Sequence, residues 1–145
     1  MELPVDAEIV LPHRGPMKLL DTLTFSKSDC GGAKTVIPKH FPFLTGESQV
    51  VHRFAMIELI AQSYAATKTY QDIMEGKKSR AGYLVGITKS TFYGDARVGD
   101  TLTVTVNNEE GFEDFYIARG WVKNAETLLL EAVLKIWLKP SENGL

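Results

Sequence analysis

The stretch FAMIELIAQSYAA, residues 54–66, is the strongest constraint on how this chain folds. Apolar residues surround it almost completely, so a helix here must be buried on most of its sides. Glu58 and Gln62 interrupt it, four residues apart and therefore on one helical face. Burying a carboxylate is costly unless something pairs with it. Glu58 therefore either has a structural partner, such as the backbone or Arg14, or does chemistry in a crevice. The spacing predicts a helix from about residue 51 to 70, with Ser48 or Gln49 near its start.

After that helix the period changes. YLVGITKSTF (83–92), TLTVTV (101–106), FYIARGWV (115–122) and LLLEAVLKIWL (128–138) read as four strands. GDARVGD (94–100) and NNEEG (107–111) read as turns between them. In the last run Leu128, Leu130, Ala132, Leu134, Ile136 and Leu138 share one face, a predicted core face. Before the helix, KLLDTLTF (18–25) and AKTVI (33–37) are strand candidates, and IVLPHRGPM (9–17) is a turn or helical turn. PKHFPFLTGESQ (38–49) has loop composition. One apolar helix with a long antiparallel sheet predicts an α+β layer, the sheet wrapping the helix. A second copy or related chain would protect the sheet edges.

The 145 residues suffice for one domain with a sizeable core, predicted over 1–139, with a frayed tail at 140–145. A net charge of −2 argues against a broad nucleic-acid surface. No secretory signal or membrane-span window is evident. The single cysteine, Cys30, cannot form an intrachain disulfide, so a cytoplasmic setting is expected. No zinc-type Cys or His spacing and no phosphate-cradling glycine loop is present, so neither metal nor cofactor is expected.

Three blocks resemble the 3-hydroxyacyl-acyl-carrier-protein dehydratases: LPHRGPMKLLD (11–21), ELIAQ (58–62) and GITKSTF (86–92) followed by VGDTL (98–102). The similarity is greatest to a divergent branch associated with aryl-polyene synthesis. It implies the hot-dog fold, a long central helix wrapped by a curved antiparallel sheet, assembled as a homodimer or a heterodimer. It also implies elimination of water from a thioester-linked acyl chain on acyl carrier protein, with the acyl chain in an apolar tunnel beside Glu58. Two alternatives stay open: a non-catalytic acyl-binding or partner subunit, and a hot-dog thioesterase.

In that family a histidine before the central helix acts with the helix carboxylate of the partner subunit. Here HFPF (40–43) lies about one helical turn's worth of residues too far from Glu58, and an ungapped count places Leu44 at the histidine position. A loop insertion would restore His40; otherwise His52 approaches from the helix start. The expected roles are Glu58 as acid and His40 or His52 as base, with amides near residues 52–54 as oxyanion donors. Gln62 would orient Glu58, a loop or a partner residue. His13 and Arg14 are assigned to organising the fold or pairing with a carboxylate. Lys89, Arg97 and Lys18 are candidate carrier-protein contacts.

Overall fold

The computed structural model describes residues 2–78 and 80–139; the predicted tail at 140–145 lies outside them. A short strand β1 (Val5–Asp6) runs into a single helical turn α1 (Ala7–Val10). A 3-10 turn at Gly15–Met17 then leads to the hairpin β2 (Thr22–Lys27) and β3 (Cys30–Val36). The loop before the helix contains a small pair, β4 (Leu44–Thr45) and β5 (Val50–Val51). The long helix α2 spans Arg53–Met74. Four strands follow: β6 (Gly82–Phe92), β7 (Thr101–Phe112), β8 (Phe115–Asn124) and β9 (Thr127–Leu138).

The main sheet is antiparallel, in the order β1-β2-β3-β7-β8-β9-β6. Helix α2 contacts β2, β3, β6, β7, β8 and β9. Those six neighbouring strands span roughly 24 Å, about twice a helix diameter, so the sheet must bend round the helix to reach it. Two glycines permit the close approach. A Cβ on Gly120 would meet Ile60 Cγ2 at 2.3 Å, and one on Gly31 would meet Thr67 Oγ1 at 2.0 Å. The predicted core face of β9 is buried from Leu130 to Leu138, with Leu128 partly covered. Leu102, Val104 and Val106 of β7 are buried beside it.

Several boundaries differ from expectation: β2 begins at Thr22 rather than residue 18 and β3 at Cys30 rather than residue 33. NNEEG is not a turn but continues β7, where Asn107 pairs with Arg119 and Asn108 with Ala118. An ion pair between Arg119 and Glu109, at 2.8 Å, fastens that extension. The chain instead reverses after Phe112, with Glu113 in the left-handed region at φ 57°. Helix α2 starts at Arg53, close to the expected residue 51, and the N-cap is His52 rather than Ser48 or Gln49, its Nδ1 accepting from the Phe54 N–H at 3.1 Å. The helix also runs one turn beyond Tyr70, and Gly76 at φ 70° provides the left-handed exit.

The side of α2 not facing the sheet is covered by α1 and residues 11–20, including buried Leu11, Leu19 and Leu20. Gln62 fastens this cover. Its Oε1 accepts from the Leu19 N–H at 2.9 Å, and its Nε2 donates to the Met17 carbonyl at 2.8 Å. Gln62→Leu leaves both backbone groups without that partner. We expect a loss of about 1–3 kcal/mol, measured by urea unfolding, because a stranded buried polar group costs its desolvation.

Candidate functional site

Between Ala55 and Thr67 every residue of α2 is buried except Glu58, which is partly exposed. Glu58 lines a cleft of about 10 Å³ near the free edge of the sheet. His13 and Gln62 line the same cleft, and Gly82 and Leu84 of β6 and Ile136 of β9 form part of its wall. Burial raises the Glu58 pKa above the ordinary carboxyl value and lowers that of His13 below the ordinary imidazole value. Both shifts favour the neutral forms, a protonated carboxyl and an uncharged imidazole. The arrangement therefore offers a proton donor at a partly open position.

This has a consequence for stability. The folded state holds the Glu58 proton more tightly than the unfolded chain does. Wild-type stability is thus lost as pH rises from the ordinary carboxyl range through the raised value. Glu58→Gln has no such loss. Its stability relative to wild type should increase as pH rises from about 4 through the raised Glu58 value, read from urea midpoints at each pH.

The other predicted residues lie elsewhere. His40 is exposed and lines a separate groove of about 570 Å³ with Gly15, Lys18, Leu19 and Phe41. His52 is exposed and caps α2. Neither is among the residues lining the Glu58 cleft of its own chain. Two of the amides expected as oxyanion donors are engaged: the His52 N–H donates to the Phe43 carbonyl at 2.7 Å, and the Phe54 N–H to His52. Arg14 turns away from Glu58. It donates to the Leu11 and His13 carbonyls and pairs with exposed Glu8 at 3.3 Å. Lys89 and Arg97 are exposed, and Lys18 pairs with Asp6 at 3.8 Å. Among the described residues no cluster of His, Cys, Asp and Glu could hold a metal ion, and no helix is long and apolar enough to cross a membrane.

The structure thus unites Glu58 with Gln62 and adds His13, which sequence reasoning assigned to the fold. The signal was the LPHR block itself. Its placement over α2 depends on Gln62 reaching Met17 and Leu19, more than 40 residues away. Among the described residues the cleft lined by Glu58 has room for about one water.

No curated protein matches the chain in sequence. Among solved structures, the dehydratase heterocomplex ApeI:P from Xenorhabdus doucetiae matches with a TM-score of 0.86 at 20% identity, covering 99% of this chain and 95% of that one. An uncharacterized protein from Pyrococcus horikoshii matches with a TM-score of 0.68 at 16% identity, covering 97% of each chain. A hypothetical thioesterase protein with coenzyme A from Streptococcus pneumoniae matches at 0.61 and 13% identity, over 81% of this chain and 84% of that one. At these identities the likenesses establish the fold, a hot-dog α+β fold. The family model of ApeP-like proteins, described as ApeP dehydratase, matches residues 5–143. With that match spanning nearly its whole length, the chain belongs to the ApeP-like dehydratase family.

Proposed function

We propose that this chain is the Glu58-bearing subunit of a dehydratase that removes water from a 3-hydroxyacyl group on acyl carrier protein, and that a related hot-dog subunit completes its site. The observation that carries this reading is Glu58, a half-buried carboxyl on α2 whose pKa burial raises, lining a cleft walled by the edge strand β6. Elimination requires a base to take the C2 proton while the C3–O bond breaks. The leaving hydroxyl takes up a proton from Glu58 and departs as water, and the C2–H electrons become the new double bond. The positions of His40 and His52, outside the cleft of their own chain, support a base contributed across a subunit interface.

The partner's docking site is the free edge of β6. This strand has eleven residues, one edge unpaired by the sheet, and exposed Tyr83, Val85 and Ile87. A long apolar edge invites a further strand. Pairing there sets the partner beside Gly82 and Leu84, which wall the Glu58 cleft, and so extends the space next to Glu58. The ApeI:P heterocomplex supports a heterodimer over a homodimer. Exposed Lys89 and Arg97 offer positive charge to an acidic carrier. Free Cys30 fits a reducing cytoplasm.

The test is product identity, by mass spectrometry, from carrier loaded with aliphatic and aryl 3-hydroxyacyl groups. The protein is assayed alone and with a related hot-dog subunit. An enoyl thioester supports the proposal. Free acid and unloaded carrier identify a thioesterase. No product in either mixture identifies an acyl-binding subunit.

A further inference from the structure

The LPHR histidine has no assigned chemistry in the proposed reaction, yet His13 is one of the residues lining the Glu58 cleft. His13 Nδ1 is buried and has no hydrogen-bond partner among the described residues. Leaving such an atom unpaired is costly, so native structures pair it with protein or water. A cleft of about 10 Å³ is at the threshold for one water. A buried water also needs two to four polar partners, and three are available. They are His13 Nδ1, the Glu58 carboxyl and the Gln62 amide, which retains an N–H and a lone pair after binding Met17 and Leu19. The rest of the lining is apolar: Ala61, Ala65, Gly82, Leu84 and Ile136.

We propose that His13 is a positioning residue for Glu58, acting through one water held between its Nδ1 and the carboxyl. The proposal rests on the dehydratase reading. The water accepts from Gln62 Nε2 and donates one proton to Nδ1 and one to the carbonyl oxygen of the protonated carboxyl. That leaves the Glu58 O–H free to face the leaving hydroxyl. After transfer, the same water stabilises the new carboxylate. Among the described residues lining the cleft the titratable groups are His13, from the segment covering α2, and Glu58, from α2 itself; the described residues of β6 and β9 there carry none. Arg14, the nearest charge in sequence, is turned to Leu11, the His13 carbonyl and Glu8. An uncharged imidazole with its proton on Nε2 presents the acceptor that this arrangement needs.

The test uses the complex with a related hot-dog subunit, comparing His13→Leu with His13→Asn, whose side-chain oxygen can stand near the Nδ1 position. The expected result is a kcat about tenfold lower for His13→Leu, the rate equivalent of one hydrogen bond. KM is unchanged, and His13→Asn restores most of the loss. On a Glu58→Gln background His13→Leu has no further effect. An equal loss in both His13 variants, or the same tenfold loss on the Glu58→Gln background, overturns the proposal. A second readout is independent of turnover: nitrogen NMR of His13 in the wild-type chain and in Glu58→Leu. A bare Nδ1 in hydrogen-bonded form, with a resonance that moves in Glu58→Leu, supports the pairing even if no dehydration is found, in which case the dehydratase reading fails alone. A protonated Nδ1, or a resonance indifferent to Glu58→Leu, overturns the pairing even in an active dehydratase.

Discussion

Val85→Asp combined with Ile87→Asp abolishes the complex and, with it, turnover, while leaving the chain folded. Both side chains are exposed, at 50% and 46%, so the folded monomer loses little apolar burial. In an assembly paired through β6 the same positions become covered. Two carboxylates there must give up water without a partner, a cost of several kcal/mol. Charged edge residues are also how natural sheets block further pairing. Light scattering of the mixture should show separate subunits, and circular dichroism an unchanged chain. Turnover should fall by at least about 100-fold, because each subunit then lacks part of the catalytic pair. A stable, active complex of the double variant would place the partner on another surface.

Glu58→Gln is expected to reduce turnover by about 100-fold or more. Glutamine keeps the size and much of the hydrogen bonding of the carboxyl but has no acidic proton to give. The loss should appear in kcat rather than KM, since proton donation acts in the transition state. The pH dependence carries its own sign. Burial raises the Glu58 pKa, which extends the protonated, donating form toward neutral pH. Wild-type kcat should therefore decline as pH rises through that raised value. The residual kcat of the variant should lack this limb, which steady-state assays across pH can resolve.

Much of the fold was legible because burial follows simple periods. The alternation in β9 and the Leu102–Val104–Val106 face of β7 mark one side of the sheet, and both faces are buried apart from the partly covered Leu128. The helix was legible because little but Glu58 and Gln62 interrupts its apolar surface. What the sequence concealed was set by distant contacts. NNEEG has turn composition, yet β8 pairs with it and draws it into β7. Histidine is not among the strongest capping residues, and His52 became the N-cap because the Val50–Val51 strand delivers the chain to that point. At the site, the Glu58–Gln62 face was readable from spacing four. The position of His13 was not, since it follows from Gln62 gripping the backbone at Met17 and Leu19. The family histidine motif drew attention to His40, which the structure places in a different groove from the cleft of its own Glu58.

The most direct measurement of the central claim is a single-turnover time course on the assembled complex, following the intact mass of a carrier loaded with a 3-hydroxyacyl group. Wild-type complex and complex containing the Glu58→Gln chain are compared at equal, verified assembly. The account predicts that the carrier loses the mass of one water with the wild-type chain, and does so about 100-fold or more slowly with the variant. Equal rates of water loss in the two complexes would contradict it, as would release of the acyl group in place of dehydration.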